Sequence, residues 1–516
     1  MALLRSPDFA AFRFSAQGTG MSFFWKGRLN AAPSDLLKHY YAEQMREPDF
    51  LDALHQWDKA QVVVLGEQQL APPETVAALV EAVAAMEREG VVPAREALWN
   101  VIHGGEEYIR KSCEEEKSGW LHLGRSSPSL RVVASRIAFR SLQVQIMHAA
   151  LALRETLIDV GEKHIETLMP GYSYVQHIEP GTFGFYLMSF VEPLERDFKR
   201  FESAFRNTNI SSVGTGAAYG IEFPLDLDRM DELLGFDAAP WNARDSIRNY
   251  DYMLETYMAL ALMHNTLGRV AMDFLIWHSA EFNFIRLPDR LSITSSISPQ
   301  MRIPYVLEFI HGTSGLITGR LMEALAITKT ASDQLEMATM LPAEFWKCAD
   351  ESRRAMDALA SSLAEMTVNK ARMAQCANDH WSQASTVVGF LVKEHGMSYR
   401  TGHQILSLMM QEVADKNIPP SQVRARVLED AIEKYTGRKI PVVQETLDRL
   451  FDAMTCVRGR KYRGGAAPER VAEHIAAARQ NLAQDRATAM RLAERIDAAK
   501  NRLDSAFTAL QGKYAK

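Results

Sequence analysis

Two hydroxyls stand side by side in the stretch T-S-S-I-S-P-Q-M-R-I-P, Thr294 to Pro304. This run of small residues and a proline interrupts one long helical pattern, and another begins at about Pro304. Ser295 and Ser296 are therefore expected on a flexible loop beside an apolar helix. A serine oxygen is a poor base unless positive charge or backbone N–H groups stabilise its alkoxide, so the surroundings of the loop decide what it can do.

Other residue groupings point less far. Gly214, Gly216 and Gly220 have a dinucleotide-loop look, but they follow a helical pattern and not a strand, so that reading fails its structural context. His278 and His311 lie on apolar helices and read as core or interface histidines. Cys113, Cys348, Cys376 and Cys456 are scattered without a C-x-x-C, which suits buried thiols in a reducing compartment rather than a zinc site or a disulfide framework. The 24 methionines suit packing between helices.

The elements that must position these residues are helices, since apolar residues recur at helical spacing along most of the chain and strand signals are nearly absent. Long helices are predicted over Leu142 to Leu168, Thr182 to Asn207, Ala243 to His278 and Tyr305 to Ala331. Glycine- and proline-bearing joints separate them, among them M-P-G-Y at Met169 to Tyr172. Helices with several apolar faces suit a multi-helix bundle that also packs against other subunits. After Pro468 a seven-residue repeat runs through Ile475, Leu482, Ala489, Ile496, Leu503 and Leu510, broken at Asp485. It reads either as a terminal helix laid on the body of the protein or as a helix paired across subunits. Domain limits are expected at 1–124, 125–385 and 386–516.

A chain of 516 residues can bury a large core, and its net charge of −6 argues against nucleic acid or an anionic membrane as main partner. Arg5, Asp8 and Arg13 interrupt any secretory h-region at the N-terminus. The most apolar helix, Tyr257 to His278, carries His264, Asn265, Arg269 and Asp273, which a bilayer would tolerate poorly. A soluble, cytoplasmic protein is expected.

The loop at Thr294 to Pro304 is similar to the signature loop of the argininosuccinate lyase/fumarase superfamily, G-S-S-x-M-P-x-K-x-N-P. Both serines and both prolines are in register, while Met301 and Ile303 stand at the lysine and asparagine positions. W-K-G-R-L at Trp25 to Leu29 resembles W-G-G-R-F, and H-L-G-R-S-S-P-S at His122 to Ser129 resembles H-T-G-R-S-R-N-D. M-P-G-Y-S-Y-V-Q-H-I-E-P at Met169 to Pro180 resembles M-P-G-Y-T-H-L-Q-x-A-Q-P, and G-T-G-A-A-Y-G-I-E-F-P at Gly214 to Pro224 resembles G-A-G-A-L-A-G-T-x-F-P. N-A-R-D-S-I-R-N-Y-D at Asn242 to Asp251 resembles N-S-x-D-A-V-S-D-R-D, with Tyr250 at the arginine position. Y-R-G-G-A-A-P-E-R-V at Tyr462 to Val471 resembles Y-G-G-T-A-P-E-x-V. The motifs occur in the family's order and cover most of the chain.

The resemblance implies an all-α, three-domain fumarase/aspartase-like subunit. A long central bundle would form the core of a homotetramer, with active sites built from three subunits and no metal or organic cofactor. It implies anti β-elimination of an amine from a small carboxylated, N-succinyl-type amino-acid substrate, by default argininosuccinate to arginine and fumarate as in arginine biosynthesis. Such a reaction needs fixed donors and cations where carbanion charge develops, a base for the proton and an acid for the departing nitrogen.

Carried over residue by residue, Ser295 is the base. Tyr174 stands at the family's histidine, and Glu308 in P-Y-V-L-E stands at the glutamate that pairs with it. Tyr174 either donates the proton, from an ordinary pKa of about 10, or fills the histidine's space. Ser126, Ser127, Gln176, Ser296, Arg302 and Asn242 are the expected substrate-binding residues. Charge or donors are lost at Ser127, Pro128, Ser129 and Tyr250. Arg131, Arg248 and Arg302 either replace them or are salt-bridged and solvated, as arginines at helix ends usually are. His103, Glu106 and Glu107 in I-H-G-G-E-E-Y fall on a family helix of the type D-x-H-x-x-x-E, which makes them a polar site wall or a subunit contact rather than a metal site. The rival to a lyase is a catalytically silent member kept as a structural or binding protein, as among the crystallin relatives.

Overall fold

The sequence S-S-P-S at Ser126 to Ser129 starts the longest central element. Ser126 Oγ accepts from the Ser129 N–H at 3.2 Å and Ser129 Oγ accepts from the Ser126 N–H at 2.9 Å, a reciprocal capping box. Pro128 falls in the first turn, where its missing N–H costs no hydrogen bond. The computed structural model describes residues 34–37, 45–98, 100–329, 336–413 and 416–514, the side chains of 336–343 excepted. The motif at Trp25 to Leu29 and the segment carrying Arg5, Asp8 and Arg13 lie outside the described residues.

In chain order the principal helices are α1 Pro48–Glu67, α2 Pro73–Glu89, α3 Gly104–Ser112, α4 Ser127–Lys163, α5 Val191–Thr208, α6 Asp251–His278, α7 Tyr305–Ile327 and α8 Glu336–Glu365. They continue with α9 Lys370–Asp379, α10 Ala384–His395, α11 Tyr399–Val413, α12 Ala425–Thr436 and α13 Pro468–Tyr514. Two small antiparallel pairs interrupt them, β1 Leu168–Ser173 with β2 Gln176–Thr182, and β3 Ile285–Arg286 with β4 Thr367–Val368.

The helical expectation holds, with three corrections. The helix expected over Leu142 to Leu168 begins at Ser127 and ends at Lys163, and M-P-G-Y is a strand rather than a joint. The helix expected over Thr182 to Asn207 is split between Phe183–Met188 and α5; Pro193 sits in the first turn of α5, and in an unbroken helix its ring would clash with the carbonyl of Ser189. The helix expected from Ala243 breaks at Asn249, whose backbone is extended (ψ 128°) and whose side chain bonds Asp245.

Among the described residues, apolar side chains gather in three clusters. The largest joins α4 to α8 with the first half of α13; the second joins α1, α2, the start of α4 and the end of α13; the third joins α10, α11 and α12. The heptad seam of α13 is buried along Ile475, Leu482, Ala489, Leu503 and Leu510 against its own chain, which is the first of its two expected placements. Asp485 continues the seam: it is buried and receives Arg154 of α4 at 2.6 Å. Among the described residues, no helix is long and apolar enough to cross a membrane.

Candidate functional site

Ile293 and Ile303 close the loop at its base, each N–H donating to the other's carbonyl at 2.9 and 2.8 Å. Between them Ser295 is half-buried, while Ser296, Ile297 and Met301 are exposed. Ser295 Oγ accepts from the backbone N–H of Ile297 at 3.3 Å and of Ser298 at 3.0 Å. Small polar residues favour such side-chain-to-backbone turns. Two N–H dipoles aimed at one oxygen favour its anionic form. Arg302 is turned away from this role: it donates to the Leu287 carbonyl at 3.1 Å and pairs with Asp289. Glu308 is exposed in the first turn of α7, where the helix N-terminus favours a carboxylate.

Tyr174 and Val175 form the two-residue turn of the β1–β2 hairpin, between the paired Ser173 and Gln176. Their φ values are +54° and +58°, the left-handed pair that such a tight turn demands and that glycine or asparagine usually supplies. The turn leaves Tyr174 96% exposed, so the expected bond from Tyr174 to Glu308 is not made within one chain. Gln176 follows on β2 and is exposed as well. Tyr172 and His177 anchor the hairpin, with rings 4.8 Å apart and Tyr172 also against Phe282.

A third group lies at the start of α4. Ser126 Oγ donates to the Gly216 carbonyl at 2.6 Å, joining two of the motifs through a loop whose Gly214 and Gly216 have positive φ. A Cβ on Gly216 would stand 2.5 Å from the Gly220 carbonyl oxygen, so the loop requires glycine there. Ser127 Oγ lies 2.8 Å from His103 Nε2. Glu106 Oε1 lies 2.5 Å from His122 Nδ1 and 3.6 Å from His103 Nδ1. Burial holds the His103 imidazole below its usual pKa, against the pull of Glu106. Burial would push Glu106 up, but the bonds from His103 and His122 prevail and hold it far below the carboxylate range.

Nearby cations are already committed. Arg125 is buried against Asp58 at 2.6 Å and over the Trp57 ring, and Arg248 donates to the Ala217 carbonyl at 3.2 Å. Arg131 is buried on α4. Asn242 caps the short helix Ala243–Arg248, accepting from the N–H groups of Arg244 and Asp245. Tyr250 is a core residue stacked on Tyr252, and burial pushes its phenol far up.

The structure thus brings Ser126 and Ser127 together with His103, Glu106 and His122, and sets Ser295, Ser296 and Arg302 on the loop leading into the helix of Glu308. It carries Tyr174 and Gln176 on a separate hairpin. His122 is the residue that sequence reasoning passed over. Its motif was noticed, but only the fold shows that it faces Glu106.

A family model described as Lyase matches residues 74–319. Argininosuccinate lyase 1 of Shouchella clausii is 29% identical over 476 residues, 89% of this chain and 94% of the relative. Argininosuccinate lyase of Methanothermobacter thermautotrophicus is 26% identical over 86% of this chain and 96% of its own. Among solved structures, EDDS lyase in complex with formate superposes with a TM-score of 0.86 at 23% identity, over 95% of this chain and 98% of that one. The recombinant class II fumarase of Schistosoma mansoni gives 0.67 at 12% identity, over 80% and 91%.

Proposed function

Because this chain belongs to the argininosuccinate lyase/fumarase/aspartase superfamily and is a carbon–nitrogen lyase, we propose that Ser295 is the base of its anti elimination and argininosuccinate the substrate to try first. The products would be arginine and fumarate, with no cofactor required. The observation that carries this reading is the pair of N–H groups on Ser295 Oγ. They supply locally the stabilisation that a lysine at position 301 would otherwise lend to the alkoxide. Ser296 would donate to the substrate from the same loop. Ser126, Ser127, Gln176 and Asn242 would contribute from the walls, and Arg302 once released from Asp289, with Tyr174 as the acid backed by Glu308 of a neighbouring subunit.

That last pairing requires assembly, and the exposed faces support one. On helix α7 Phe309, Leu316, Met322 and Leu325 are exposed, as are Met258, Leu262 and Met272 on α6. Apolar faces of this extent on long helices fit the core of a homotetramer. The third apolar cluster, Val387 to Phe451, supports a boundary near 385 in the division 1–124, 125–385 and 386–516, while α13 packs on the first two clusters. The four free thiols suit the cytoplasm.

The test is direct. Purified protein given argininosuccinate should raise ultraviolet absorbance as fumarate forms, and Ser295→Ala should abolish the rise. The exposed Met301 and the committed Arg302 favour the rival reading of a silent, structural member. Absence of any alkene from a panel of carboxylated amines would establish that rival.

A further inference from the structure

We propose that His103, Glu106 and His122 form a site for a borderline divalent cation of the zinc class. One ligand atom from each residue lies within 4.8 Å of the other two. The atoms come from two backbone segments held in place: His103 caps α3, Glu106 sits in its first turn, and His122 ends the short turn Gly119–His122. Two imidazoles and one carboxylate match zinc, cobalt or nickel rather than magnesium or calcium, which prefer oxygen donors throughout.

One ligand pair already has the required spacing, and a second must open. Donors about 2.0–2.1 Å from a tetrahedral ion stand about 3.3 Å apart. His103 Nδ1 and Glu106 Oε1 are 3.6 Å apart already. His122 Nδ1 must withdraw from its 2.5 Å contact with Glu106 and carry its proton on Nε2 instead. His122 is 37% exposed and has room to do so. The two imidazole rings stand 5.5 Å apart, centre to centre, with a 35° tilt.

A second observation points the same way. Ligating histidines almost always offer their other ring nitrogen to an oxygen, which fixes the tautomer and orients the ring. Ser127 Oγ holds His103 Nε2 at 2.8 Å, turning Nδ1 toward Glu106. Arg110 pairs with Glu107 at 3.3 Å, while Asp58 is shared by Arg125 and Arg95 and leaves one positive charge that the Glu106 carboxylate must outweigh. With three protein ligands the ion keeps an open position, toward a small cleft lined by Glu107, Arg110, Glu115 and Ser118.

The experiment titrates chelator-treated full-length protein with Zn2+ by calorimetry and with Co2+ by visible d–d absorption, with no substrate present. One ion per chain is expected. Glu106→Gln and His122→Ala should each remove the cobalt bands. Ser127→Ala should weaken binding about 10–100-fold while preserving them. His148→Ala, an exposed histidine on α4, should change nothing. Should His122→Ala fail to fold by circular dichroism, the near-isosteric Glu106→Gln carries the test. Wild-type protein that binds neither ion, or binding that survives loss of the Glu106 carboxylate, overturns the proposal. Neither result touches the lyase reading, since no turnover is measured.

Discussion

Arg154 and Asp485 lie 331 positions apart in the chain and meet at 2.6 Å, with both side chains shielded from water. Lys199 adds a contact to Asp485 at 2.9 Å, and Glu195 adds one to Arg154 at 3.0 Å. Removing one partner of a buried pair strands the other, so Asp485→Ala should cost about 3 kcal/mol in denaturant unfolding. Replacing both, as Arg154→Met with Asp485→Leu, should recover most of that loss. A single variant as stable as the parent would show that the pair does not fasten α13.

Ser295→Ala should lower turnover about 10²–10⁴-fold with no change in the melting midpoint, because the side chain is half-buried and bonds only its own turn. Stopped-flow detection of fumarate with circular dichroism on the same sample checks both halves. Unchanged turnover would remove Ser295 from the chemistry.

The hairpin turn makes a separate demand. A β-branched residue at φ +58° is strained, so Val175→Gly should raise stability by about 1 kcal/mol. Tyr174→Phe removes a proton donor from an exposed site and should leave the melting midpoint alone while lowering kcat about 100-fold. Retained kcat would make Tyr174 a space filler.

Asp231 should make stability fall as pH rises from about 4 to about 7. Burial, and then the charge of Asp228, raise its carboxyl from 3.8 to about 7 against the pull of the Ser211 hydroxyl at 2.5 Å. A raised carboxyl means that the folded chain holds a proton the unfolded chain has released. Stability is therefore full below the lower value and drains away as pH rises through the upper one. Asp231→Asn keeps the acceptor for Ser211 and removes the charge. At pH 8 it should exceed the parent by about 1–2 kcal/mol, the full shift being discounted for partial exposure. At pH 4 the two proteins should melt alike.

Much of the fold could be read from periodicity, because helices as long as α6 and α7 repeat their apolar faces many times. Breaks were harder. Pro193 marks the start of a new helix for a steric reason visible in the sequence, yet nothing local marks Asn249. The hairpin was missed because Tyr174 and Val175 lack the glycine or asparagine that advertises such a turn. In the candidate site, the serine loop was legible through its proline-bounded run of small residues. The commitment of Arg125 to Asp58 and of Arg302 to Asp289 was not, since a guanidinium's partner is chosen by the fold and not by its neighbours in sequence. Asp485 looked like a defect in a heptad and is the anchoring charge of that helix. The difference lies in Arg154, which no window of sequence around position 485 contains.

The two short bonds between Ile293 and Ile303 act as a drawstring at the neck of a purse. Whatever swing the bight above them makes during a catalytic cycle stops at that knot. Helix α7 begins two residues later, at Tyr305, with Phe309, Leu316 and Met322 exposed along it. A single backbone bridge thus separates the serine loop from the exposed apolar face of that helix.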